Sequence, residues 1–160
     1  ALVVADIAPV AYAASHDAVF AAIAAVDTAR PESRSQAVTL MSEYVSDPGV
    51  AQFLSLSLKR ESDGTYTWRF NAAALRANYG KFRAAPVGSV YRGPTLFVYG
   101  LNSTYVDDEG RARALELFPQ LQFEGIADTG HWLHAEKPQE FNGAVRGFLK
   151  QSLDAQEHQA

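Results

Sequence analysis

Leu2-Val3-Val4-Ala5 is followed at once by Asp6 and closed by Ile7-Ala8-Pro9. The run is apolar at consecutive positions and β-branched at its centre. A strand built from it needs cover on both faces, as strands inside parallel sheets do. Pro9, with no amide N–H, ends it. Asp6 is thereby left at the C-terminal end of a buried strand, where open α/β sheets gather their sites. A carboxylate placed there is costly unless it is hydrogen-bonded or paired. A turn role and a partnership with a His are both open to it.

Two further strands are readable downstream. Thr95-Leu96-Phe97-Val98-Tyr99, closed by Gly100, repeats the buried pattern, and the more polar run from Leu121 to Ile126 suits an edge. Asp107 to Leu117 reads as a helix with Ala114, Leu117 and Phe118 inward. Pro138 opens another with Phe141, Val145, Phe148 and Leu149 on one face. Strands alternating with helices argue for a parallel sheet, hence an α/β fold. Three strands make a poor sheet on their own, and the first expects neighbours that these residues do not contain.

Between the first two strands the pattern changes. Val19, Phe20, Ile23 and Val26 line one helix face after His16. Ser33 with Gln36 reads as a capping box before Ala37, Leu40, Met41, Tyr44 and Val45. Asp47-Pro48 starts a third helix with Val50, Phe53 and Leu54. Asp63-Gly64 joins Leu56-Ser57-Leu58 to Tyr66-Thr67-Trp68 as a hairpin, and Asn71 caps a short helix through Leu75 and Tyr79. Residues 10–85 are therefore expected to form a mainly helical subdomain with one small hairpin. The Pro- and Gly-rich stretch 84–94 leads back, so that 1–9 and 86–150 share the α/β core. The polar tail 151–160 is expected to fray.

Composition closes off several classes of function. The 160 residues carry 14 Lys and Arg, 18 Asp and Glu, and a formal net charge of −4. No basic run exceeds a pair, which leaves nothing to hold a nucleic-acid backbone. With no Cys there is neither a disulfide scaffold nor a thiolate nucleophile. That absence fits a reducing, cytoplasmic location. No apolar run approaches the roughly 18 residues of a membrane span.

His131 is the sharpest chemical candidate. It sits in Asp128-Thr129-Gly130-His131, a turn just past the third strand. A neutral imidazole projecting over a sheet edge there can act as a general base, or it can be a capping residue. His134 makes an H-x-x-H pair with it, but a metal site needs further ligands, and neither metal nor cofactor is expected. His16 and His158 read as surface residues.

Taken together the pattern resembles the α/β-hydrolases. Asp-Thr-Gly-His-Trp, followed by His-Ala-Glu-Lys-Pro and an amphipathic helix, is similar to their terminal His loop. Leu-Phe-Val-Tyr-Gly-Leu-Asn-Ser is similar to their seventh strand and its turn. Val-Val-Ala-Asp-Ile-Ala-Pro-Val resembles the sixth strand of the YbfF-type esterases. The resemblance spans nearly the whole chain and matches the second half of that fold, with residues 10–85 as its cap. It implies a Ser-His-acid mechanism on small carboxylic esters or thioesters. In most of the superfamily the acid lies three residues after the Gly that ends the seventh strand. Ser103 holds that position here and cannot be a carboxylate. In YbfF-type enzymes the acid follows the sixth strand, which implies Asp6 as the acid and His131 as the base. Asp107 and Asp108 are fallback acids that also suit a helix N-terminus, and Asp128 suits the turn. The cap would roof an acyl pocket, with Phe20, Met41, Phe53, Leu54 and Trp68 as candidate lining, although residues of this kind more often form a cap's own core. Trp132, beside the His, is open to lining the pocket or to anchoring the loop.

No G-x-S-x-G elbow occurs in these residues, so the nucleophile and oxyanion hole are expected from the N-terminal half of the same enzyme. Either that half is retained as a separate chain, which is the favoured expectation, or these residues are a fragment of a longer protein. The rival expectation is a non-catalytic binding protein on the same fold. An Asp at the elbow would instead imply a dehalogenase or epoxide hydrolase.

Overall fold

A computed structural model describes the backbone of residues 1–157 and the side chains of residues 1–155. The chain divides into two compact units, Ala1–Ala11 with Ala85–Ala160, and Tyr12–Ala84. His158 lies outside the described residues.

The first unit is a parallel sheet. Strand β1 (Leu2–Ala5) pairs with β4 (Thr95–Gly100), and β4 pairs with β5 (Leu121–Ile126), in the order β1-β4-β5. The register sets Ala5 against Val98 and Gly100 against Ile126, so the C-terminal ends of all three strands lie side by side. One face is covered by α8 (Pro138–Glu157), whose Phe141, Ala144, Val145 and Phe148 pack with Leu96, Val98, Ile126 and Leu133. On β4, Phe97 stands between Phe118 and Phe123, its ring centroid 5.4 and 5.9 Å from theirs. Helix α6 (Asp108–Leu117) begins where Asp107 accepts a hydrogen bond from the Gly110 amide at 2.8 Å. Central β4 is buried at almost every position, whereas β1 is only half-buried and is hydrogen-bonded on one side alone among the described residues.

The tail departs from expectation. Helix α8 runs on through Glu157 rather than fraying from Gln151. Ser152 explains part of this, since it is buried and its hydroxyl donates to the Phe148 carbonyl at 2.9 Å, extending the packed face by a turn.

The second unit holds α1 (Asp17–Ala29), α2 (Arg34–Met41), α3 (Pro48–Ser55), the hairpin β2 (Leu58–Arg60) with β3 (Tyr66–Trp68), α4 (Ala72–Ala77) and α5 (Tyr79–Phe82). Ser33 caps α2 by accepting from the Gln36 amide, and Gln36 Oε1 accepts from the Glu32 amide. The box thus closes one residue earlier than its usual form. Asp47 and Asn71 cap α3 and α4 in the same manner. The hairpin starts at Leu58, not Leu56, because Leu56 and Ser57 finish the last turn of α3 with amide bonds back to Phe53 and Leu54. Gly64, at φ +90°, takes the left-handed turn position. Arg34 clasps the carbonyls of Ser55 and Leu58, tying the start of α2 to the end of α3.

Ile23, Val26, Met41, Leu58 and Trp68 form the core of this unit, and the Trp68 indole N–H donates to the Ile23 carbonyl at 3.1 Å. Met41 and Trp68 thus take the core role rather than lining a pocket, whereas Phe53 is 51% exposed. Met41→Ala should cost about 2–5 kcal/mol, because Met41 has no exposed surface and the cavity cannot close fully. Urea denaturation followed by circular dichroism reads that loss.

Candidate active site

Asp6 owes its position to one unusual backbone angle. Its amide still extends the β1–β4 ladder, donating to the Val98 carbonyl at 2.9 Å, but its φ is +46°. That left-handed conformation, tolerated by Asp better than by most residues, turns the side chain across the end of β4. Asp6 is 1% exposed, yet both carboxylate oxygens are satisfied. Oδ1 accepts from the Gly100 amide at 3.0 Å. Oδ2 accepts from the Ser103 hydroxyl at 2.5 Å and from His131 Nδ1 at 2.8 Å. A buried carboxylate without partners would cost several kcal/mol; three charge-assisted bonds offset that cost.

His131 is held by a loop stitched to the end of β4. Thr129 is fully buried, and its hydroxyl donates to the Ile126 carbonyl at 2.9 Å. Leu101 and Asn102 donate their amides to the carbonyls of Ile126 and Thr129, both at 3.0 Å. Asp128 takes φ +55° and so shapes the turn, with Lys137 Nζ 3.6 Å from its carboxylate. Glu136 accepts from the Gly130 amide at 3.0 Å, and Leu133 is fully buried beneath the loop. The imidazole side chain itself is 44% exposed. Since the carboxylate can only accept, Nδ1 carries the shared proton, and Nε2 across the ring is left with its lone pair. Tyr105 stacks on the ring, with centroids 4.2 Å apart and planes 23° from parallel; Trp132 meets its edge at 6.1 Å.

Asp6 and His131, 125 positions apart, are thus brought together. The fallback acids are not: Asp107 caps α6, and Asp108 pairs with Arg111 at 2.7 Å. His134 sits between the rings of Trp132 and Phe141, and no group of three potential ligands capable of holding a metal occurs among the described residues. His16 is not a loose surface residue, for its Nδ1 lies 2.6 Å from the Tyr79 hydroxyl.

Ser103 is what residue-by-residue reading missed. Dismissed as an acid, it bonds the acid instead, and its own oxygen accepts from the Tyr105 amide at 3.2 Å. The clue was available, because a parallel register puts the turn after β4 beside the end of β1. Removing a hydrogen bond to a buried charge typically costs about 1.5–3 kcal/mol. Ser103→Ala should lower stability by that amount, measured by chemical denaturation, and leave the sheet's far-ultraviolet signature intact.

A parallel sheet with a buried acid ending one strand, a His on the loop after the edge strand and a helical unit inserted between the first two strands is the arrangement of an α/β-hydrolase. A marine microorganism esterase matches with a TM-score of 0.84 at 30% identity, over 91% of this chain and 59% of that one. An E-2-(acetamidomethylene)succinate hydrolase shares the fold, at a TM-score of 0.54 and 17% identity over 92% of this chain and 57% of that one. The chain belongs to the α/β-hydrolase superfamily, and its relatives there are of the YbfF type. Esterase YbfF of Escherichia coli (strain K12) is 41% identical over 149 residues, covering 92% of this chain and 57% of that protein. The sn-1-specific diacylglycerol lipase ABHD11 of Mus musculus is 40% identical over 155 residues, covering 92% of this chain and 50% of that protein. The chain therefore spans about half the length of the curated relatives it matches. No protein-family model matches it. Among the described residues no helix is long and apolar enough to cross a membrane.

Proposed function

We propose that these residues supply the acid and general base of a carboxylic ester or thioester hydrolase, with Asp6 and His131 in those roles. The observation that carries the reading is the 2.8 Å contact between a carboxylate with 1% exposure and an imidazole with 44% exposure. Such a pair is a proton acceptor with its far nitrogen available and its near nitrogen fixed. A Ser hydroxyl from the N-terminal half of the enzyme attacks the substrate carbonyl while His131 Nε2 takes its proton. The imidazolium then protonates the departing alcohol or thiol, and the neutral ring next activates water against the acyl-enzyme. Asp6 holds the tautomer and stabilises the charged ring throughout.

The nucleophile-bearing half is proposed as a separate partner chain. What supports the half itself, in one polypeptide or two, is β1, whose apolar residues are half-buried and whose second edge is unpaired among the described residues. Mixing this chain with a polypeptide carrying the G-x-S-x-G half, then assaying p-nitrophenyl acetate, tests both statements. Hydrolysis in the mixture, absent from either part and lost with His131→Ala, is the expected result. Activity that survives His131→Ala would remove His131 from the mechanism, and no activity in a complex that forms would remove the esterase reading. Intact mass under denaturing conditions, with a second species beside the 17.4 kDa chain, is expected of the assembled enzyme.

A further inference from the structure

We infer that Tyr105 is a positioning residue for His131, whose stacked ring holds the imidazole plane and favours its protonated form. The inference rests on the proposed role of His131 as the base. Asp6 restrains the ring through a single atom, Nδ1, and that bond alone leaves the ring free to pivot. The Tyr105 face, 4.2 Å from the imidazole centroid and 23° from parallel, blocks that pivot. Tyr105 is itself anchored on both sides. Its amide donates to the Ser103 hydroxyl, which donates in turn to Asp6, and the next residue, Val106, is buried. Contacts therefore close a circuit from Tyr105 through Ser103 and Asp6 to His131 and back to the Tyr105 ring.

The two protonation states of His131 feel this plate differently. An aromatic face attracts a cation within about 6 Å of its centroid, an attraction the neutral ring lacks. The favoured state is the one His131 enters on taking the nucleophile's proton, so the plate acts on the step that needs it. The other charged or titratable groups of the neighbourhood are Asp6 at Nδ1, the Asp128–Lys137 pair at the turn, Glu136 on the Gly130 amide, and His134 beyond Trp132. Tyr105→Phe and Tyr105→Leu both lack the hydroxyl and differ in the ring, so comparing the two variants isolates the π face.

Proton NMR of the chain, following the His131 ring resonances against pH, reads this without any nucleophile. Tyr105→Leu keeps an apolar cover and removes the π face, and its protonation midpoint should fall by about half a unit. Tyr105→Phe keeps the face and should stay near the native midpoint. A native midpoint in the Leu variant overturns the inference, as does an equal fall in Leu and Phe, which would assign the effect to the hydroxyl. Should the Leu variant fail to fold, Tyr105→Trp decides: its stronger face must hold the midpoint at or above native, and a fall overturns the inference. In the complemented enzyme, Tyr105→Leu should lower kcat about fivefold with KM little changed, and Phe should restore it. Loss of the esterase reading would leave the midpoint comparison standing, so the two can fail separately.

Discussion

Asp6→Asn should lower kcat of the complemented hydrolase by about four orders of magnitude while the chain still folds. The variant is matched to its site. Asn tolerates the left-handed backbone at φ +46° as Asp does, and it is the same size. Its carbonyl oxygen can keep the Gly100 amide. Its NH2, however, now meets the Ser103 hydroxyl and the His131 Nδ1–H, where Oδ2 accepted from both. The imidazole escapes that clash by presenting a lone pair at Nδ1, and its proton moves to Nε2. A ring protonated at Nε2 cannot take a proton from a nucleophile, and the stabilised imidazolium is lost with the charge. The measurement is kcat on p-nitrophenyl acetate beside a thermal melt. Activity within tenfold of native in a folded variant would move the acid away from Asp6.

Gly100→Ala is the second large effect, and it acts on structure. A Cβ at Gly100 would lie 2.2 Å from the Gly130 carbonyl oxygen and 2.5 Å from that of Thr129. Both are backbone atoms, so no side chain can swing aside. The end of β4 and the His131 loop must separate, which breaks the Asn102–Thr129 backbone bond and shifts the Gly100 amide from Asp6. A destabilisation of about 3 kcal/mol or more is expected, together with displaced His131 and Tyr105 resonances. A melting temperature within about 2 °C of native would mean that the loops part without cost.

Which parts of this molecule a reader could extract from residue order alone follows from the range of the forces involved. Strands β1 and β4 were legible because runs such as Val3-Val4 and Leu96-Phe97-Val98 state their burial locally, and the caps at Ser33, Asp47, Asn71 and Asp107 act within three residues. Asp6 and His131 were legible as candidates, since a charged residue ending an apolar strand and a His in a Gly-containing turn are local anomalies. Their association was legible only through resemblance, because no local pattern spans 125 positions.

Tertiary structure settled the remainder. The left-handed turn at Asp6, the hydroxyl that Ser103 lends to the acid, the plate that Tyr105 lays on His131 and the seat that Gly100 leaves for the Gly130 carbonyl all depend on the parallel register of three strand ends. The continuation of α8 to Glu157 goes with the burial of Ser152 one turn beyond Phe148. Periodicity and capping are written within a few residues of where they act. A hydrogen bond to a buried carboxylate is decided by which backbone ends lie side by side, and that is known only once the sheet has formed.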